Sequence, residues 1–348
     1  MVAELSAVQQ IMTALTGIDG LRFVILECAI TTIYTALGGF QISFITDNIQ
    51  GAMVVGLILI ATITIGFETK IDRQLVDSSG LTKSSLLGWQ LLYILPIAIL
   101  TNDFFLSNFW IRAFASKTDK DLWIGVSMAA IVVFIVLTLV GSTGLIACWT
   151  GAYDPENPDQ DGSIAFFYLL EKLPFWIIGI VLIMVVTLST AAFDSLQSAM
   201  ISTISNDLFR NNLSIWWIRL SVIILILPVV VIAIKAPSIL QIYLISDLIS
   251  ASTIPLLILG LSDRFKFLQG ADVIVGGFGG IFSVFLFGWM YFGNIRNGVS
   301  LILLKDGFYT NDWSVFGAFV AAPFGGILLG FCTSYVRFGY KLGTSRFD

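Results

Sequence analysis

Apolar runs of about twenty residues recur along the chain from Leu21 to Val336, separated by short polar breaks. Each is long enough to cross a hydrocarbon layer of about 30 Å as a helix. They are continuous rather than alternating, which excludes a transmembrane barrel. The pattern gives nine spans, at roughly 21–40, 48–67, 86–112, 122–148, 174–206, 215–235, 237–261, 272–293 and 315–336. Residues 3–18 form a helical stub too short to cross. The fold class is an all-α polytopic membrane protein.

Composition agrees with this reading. The 348 residues are 57% hydrophobic and 12% charged, with a mean hydropathy of +0.93; a soluble domain carries about twice that charge fraction. The net charge of −5 argues against nucleic acid or an anionic lipid surface as a partner. There is no histidine, so no histidine metal ligand or general base exists. Cys28, Cys148 and Cys332 are dispersed and read as packing residues. The start, Met1 to Ser6, lacks the basic region of a signal peptide.

The stretch from Tyr34 to Met53 ends one run, carries Gly38-Gly39, and places Thr46-Asp47 and Gln50 where the next run begins. A diglycine followed by Thr-Asp-x-x-Gln at a helix junction resembles the signature of the sodium/solute symporter family. The resemblance implies a LeuT-like bundle of two inverted repeats, with ion and solute bound near the midplane between them. On that frame the chain is one transmembrane domain, 1–348. Residues 1–67 form the end of the first repeat, 86–261 the complete second repeat, and 272–336 two additional helices. The signature then arrives early, so the expectation is a bundle lacking its first helices. No repeat is evident in the sequence itself. With the signature turn on the cytoplasmic side, ten basic residues fall on that side, among them Arg112, Lys341 and Arg346, and eight on the other. Short basic links inside and acidic outer loops such as 153–161 favour this orientation.

Four acids fall at intramembrane depth, Glu27, Asp103, Asp194 and Asp247, while the basic residues sit near span ends. Such carboxylates are protonated, wet, or neutralised by an arriving cation. Thr187, Thr190, Asp194, Ser198, Ser202 and Ser205 make one polar stripe at helical spacing. Ser189-Thr190, followed by Asp207-Leu208-Phe209, resembles the hydroxyl pair and ending of the family's eighth core helix. That likeness implies a sodium site at Ser189, Thr190 and Asp194, with Ala191-Ala192 competing for the position of the pair. Asp47 reads first as a helix cap; by the resemblance it also lies along the sodium exit. The run ending at Arg112 resembles the sixth core helix, which makes Thr101, Asn102 and Asp103 solute contacts beside a break at Pro96. Ser246-Asp247 takes the place of a substrate amide in the tenth core helix, and an acid there favours an amine over a sugar.

The resemblance therefore implies a symporter of a small organic solute in the plasma membrane, working by alternating access and coupled to Na+, with no cofactor and no metal beyond sodium. Proton coupling through Asp194 or Asp247 is the near alternative. A non-transporting membrane partner or sensor is another. An intramembrane aspartyl protease needs two acids sharing a proton in a defined motif context, which the sequence does not supply.

Overall fold

The computed structural model describes residues 1–155, 157, 160, 162–235, 239–305, 307 and 311–344; of Gly38–Ile42, Ser163 and 339–344 it describes the backbone alone. The described residues contain helices and no strand. The span expected at 237–261 is described from Ile239, and Arg346 and part of the acidic loop lie outside the described residues.

The chain divides into two compact units. Unit 1, Met1–Lys83 with Ser107–Ile239, contains α1 (Val2–Thr16), α2 (Leu21–Glu68), α3 (Arg73–Ser78), α5 (Ser107–Phe114), α6 (Asp119–Trp149), α7 (Ala165–Glu171), α8 (Phe175–Thr203) and α9 (Ile215–Lys235). Unit 2, Ser84–Leu106 with Leu240–Asp348, contains α4 (Leu86–Phe105), α10 (Ile239–Leu261), α11 (Gly270–Phe292), α12 (Ile295–Ile302) and α13 (Ser314–Thr344). Eight described segments are long and apolar enough to cross a membrane. The ninth expected span, at 21–40, runs into residues of which only the backbone is described. Helix starts follow local capping chemistry. The Ser85 hydroxyl accepts from the Gly88 amide at 3.0 Å, and Thr118 accepts from the Asp121 amide at 3.1 Å.

In unit 1, α2 is helical over 48 residues but is not straight. Thr35 and Thr46 reach the two oxygens of one Asp194 carboxylate, at 2.7 and 3.1 Å, so their hydroxyls stand within about 8 Å of each other. A straight helix separates positions eleven residues apart by about 16 Å. The chain therefore reverses between these two threonines. Contacts with α8 agree: along the first leg Glu27 faces Ser189 and Thr32 meets Gln197, rising. Along the second leg Asp47 meets Ser195, and Ala61 and Ile65 pack with Ile177 and Val181, falling. Gly38-Gly39, where the sequence places a turn, falls in that interval. Around the first leg, Val24 and Cys28 pack with Leu5, Val8, Phe193, Ile218 and Val222. α6 turns almost its whole apolar length outward, as a lipid-facing helix does.

Unit 2 is built on close approach of backbones. A Cβ on Gly276 would meet the Gly326 carbonyl oxygen at 2.7 Å, and one on Gly280 the Ala322 carbonyl oxygen at 2.5 Å. Lipid tails are as apolar as leucine, so small residues that let helices touch supply much of the association between membrane helices. α4 docks onto this pair through Gln90, whose amide donates to the Asp312 carbonyl at 2.8 Å, and through Ile94 and Ala98. The run read as one span over 86–112 is not one helix. It breaks at Leu106, whose backbone is extended (φ −77°, ψ 114°), and Ser107 starts α5. Pro96 stays inside α4. Neither a proline nor a glycine stands at the break, so residue type does not announce it.

Candidate functional site

Unit 1 carries a buried polar seam along α8, and Asp194 is its centre, fully buried. The Thr35 hydroxyl donates to it at 2.7 Å and the Thr46 oxygen lies 3.1 Å away, with Tyr34 close by. One turn on, Ser198 lies 3.5 Å from the Ser43 hydroxyl. The amide of Gln197 donates to Thr32 at 2.8 Å. Small hydroxyl and amide groups thus tie both legs of α2 to α8, an interhelical bonding pattern that membrane interiors favour.

Asp47 takes a different place from the one its sequence context suggests. It forms an ion pair with Arg112 of α5, and both bond Ser195. Arg112 donates to the Ser195 oxygen at 2.6 Å, and that hydroxyl stands 3.2 and 3.3 Å from the Asp47 oxygens. The arginine that ends the apolar run is therefore the counter-charge of the signature aspartate.

The predicted ion ligands lie on α8 and α2 with separate partners. Ser189 is buried and faces Glu27, Thr190 is half-buried, Asp194 holds the two threonines, and Asp47 holds Arg112. Within the polar stripe, Asp194 and Ser198 reach α2. The Thr187 hydroxyl donates to the Ile183 carbonyl of its own helix at 2.7 Å, and Ser205 bonds Asn211 beyond the helix end.

Unit 2 brings the predicted solute residues together from two helices. The Ser246 hydroxyl of α10 donates to the Asn102 side-chain oxygen of α4 at 3.3 Å. Asn102 also stands beside the Asp247 carboxylate, and Asp103 is close enough to Asp247 to repel it. Thr101 differs from its neighbours: it is buried, and its hydroxyl reaches the Ile97 and Ala98 carbonyls of its own helix at 2.7 and 3.2 Å. The result is two carboxyl groups beside an amide and a hydroxyl. Such a set attracts organic cations, whose ammonium protons need several acceptors.

Sequence reasoning missed Ser195, Thr35 and Ser43 in the seam, and it missed a second ion pair. Asp272, fully buried, closes the start of α11 through a capping box with Gln269 and also receives Arg337 of α13 at 2.6 Å. The Gln-x-x-Asp spacing at the start of an apolar run was the available signal.

The chain is 52% identical over 349 residues to the spermidine transporter DUR31 of Candida albicans, an alignment covering 99% of this chain and 67% of the relative. The chain belongs to that transporter's family. It is a multi-pass membrane transporter of a small organic solute, not an enzyme. This corrects the assignment made from the signature stretch: the relative is a spermidine transporter, not a sodium/solute symporter. No family profile matches the chain. A diglycine and a Thr-Asp pair at a helix junction also serve hairpin reversal and interhelical bonding, which is how Thr46 and Asp47 are used here.

Proposed function

We propose that the chain moves a polyamine-like organic cation across the plasma membrane by alternating access. The observation that carries this reading is the meeting of α4 and α10 in unit 2 at the Ser246–Asn102 bond, which groups Asp103 and Asp247 beside an amide and a hydroxyl. A polyamine presents several ammonium groups on a flexible apolar chain, and two neighbouring carboxylates match two of them. The kinship with a spermidine transporter supports the same solute class. Thr101 supports the cluster through its helix rather than touching solute.

Uptake against a gradient requires a driving ion that favours the same conformation as the solute. In this reading the ion is Na+, with H+ as the alternative, and the stretch of α8 that carries Ser189, Thr190 and Asp194 in unit 1 is where it binds. Asp47 acts with Arg112 to hold α5 against α8.

The test is uptake of labelled spermidine by cells expressing the chain, with and without Asp103→Asn and Asp247→Asn. The reading expects saturable uptake that other polyamines inhibit and sugars do not. Each substitution removes one charge-assisted contact, so uptake at low solute falls about 10- to 100-fold. Uptake unchanged in both variants would overturn it. Replacing external sodium chloride by isosmotic sucrose, and then varying external pH, separates the two driving ions.

A further inference from the structure

The mechanism above leaves one buried carboxylate unused. Glu27 lies on the first leg of α2, 7% exposed, next to Cys28 and one turn from Val24, which pack with Phe193 and Ile218. Among the described residues neither of its carboxylate oxygens has a hydrogen-bond partner. The hydroxyl of Thr31, one turn along the same helix face and fully buried, is also unpartnered, and so is Ser189, which faces Glu27 from α8. An orphaned carboxylate and two orphaned hydroxyls in one apolar cluster are costly, because each has left water without a replacement bond.

Among the described residues no cation is paired with Glu27; the Met1 ammonium, packed against the same cluster, faces Glu4 instead. The ionisable group facing Glu27 from α1 is another acid, Glu4, and its neighbour Cys28 is a thiol. The residues that α1 and α9 add to the cluster, Leu5, Val8, Met12, Val222 and Ile226, are apolar. Farther along the seam, Asp194 and Tyr34 are again acidic or neutral. A group of three or more acids, cysteines or histidines is absent among the described residues, so the donor set does not suit a multivalent metal. One carboxylate with two hydroxyls balances a single positive charge.

We propose that Glu27, Thr31 and Ser189 form a binding site for a monovalent cation, either a proton or an alkali-metal ion. The site is separate from the acid pair of unit 2. It deepens the coupling reading above and rests on that reading only for its role in transport; binding itself stands without it. The geometry gives Ser189 its task as the hydroxyl opposite Glu27.

Thermal unfolding of the purified full chain in detergent tests this without transport. Na+ is titrated against choline at constant ionic strength, and pH is then varied without Na+. A ligand that binds the folded state alone raises Tm with its concentration. The intact chain is expected to gain a few degrees from Na+ or from acidification, and the responsive condition identifies the cation. Glu27→Gln, which keeps the shape and removes the charge, is expected to lose the Na+ response and to weaken the acid response, to which the other buried acids Asp103, Asp194 and Asp247 also contribute. Ser189→Ala, which retains the carboxylate, moves the midpoint about tenfold. Losing the hydroxyl weakens alkali-ion binding and tightens proton binding, so the direction reports the cation a second time. An intact chain that responds to neither condition overturns the proposal. So does a Glu27→Gln chain that responds as the intact one does, or an unmoved midpoint in Ser189→Ala. A chain that shows the response but carries no polyamine keeps the site and loses the transport reading; the reverse result does the opposite.

Discussion

Thr35 and Thr46 meet on one carboxylate, the Thr35 hydroxyl at 2.7 Å from Asp194 and the Thr46 oxygen at 3.1 Å from its other oxygen. That junction turns a continuous helical stretch into two legs clasping α8, and it leaves a fully buried acid satisfied. Removing a partner leaves part of the carboxylate uncompensated, at about 1–3 kcal/mol. Thr35→Val is expected to cost more than Thr46→Val, because the Thr46 hydroxyl also reaches the Ser43 carbonyl at 2.9 Å and has one proton to give. Thermal unfolding of the purified protein ranks the two. Equal costs would remove the distinction.

Arg112 and Asp47 form a second clasp, through Ser195. Both are partly exposed, so the pair contributes less than a sealed one. Losing one member still strands the other's charge beside α8. Arg112→Ala is expected to destabilise by about 1–3 kcal/mol, and Arg112→Ala with Asp47→Ala by less than the sum of the single changes. A double-mutant cycle on Tm checks this, and additive costs would contradict it.

Helix contact in unit 2 leaves no room at Gly280 and Gly326, where an added Cβ would stand 2.5 Å from the Ala322 carbonyl oxygen and 2.2 Å from the Ser252 carbonyl oxygen. Gly280→Ala and Gly326→Ala are expected to lower stability by about 1–3 kcal/mol through forced separation. Gly56 of α2 has nothing within 4 Å of its position. Gly56→Ala is expected to be neutral or to stabilise by up to about 1 kcal/mol, since alanine loses less entropy in a helix. Folded yield after a heat step separates the three. Loss at Gly56 as large as at Gly280 would refute the packing account.

The membrane class and most spans were legible because a lipid interior tolerates few polar residues, so length and hydropathy carry the signal directly. The stub at residues 3–18 appears as α1, its Leu5, Val8, Ile11 and Met12 buried. The break at Leu106 was not legible: Pro96 attracted it, yet its missing amide hydrogen is accommodated within α4. Asn102 and Ser246 were each singled out by likeness to relatives, but that they bond each other was not legible, because spacing says nothing about residues 144 positions apart. The partner of Asp47 was hidden for the same reason, since Arg112 lies 65 positions away. Glu27 was visible as an intramembrane acid, but only the fold shows its oxygens without a partner among the described residues.

The central claim is that the acid pair Asp103 and Asp247 receives an organic polycation. Saturable uptake of labelled spermidine by cells expressing the intact chain, compared with Asp247→Asn at matched surface expression, tests it most directly. The account predicts robust uptake by the intact chain and a loss of about 10- to 100-fold in the variant at low spermidine. Full uptake by Asp247→Asn, or none by the intact chain, would contradict it.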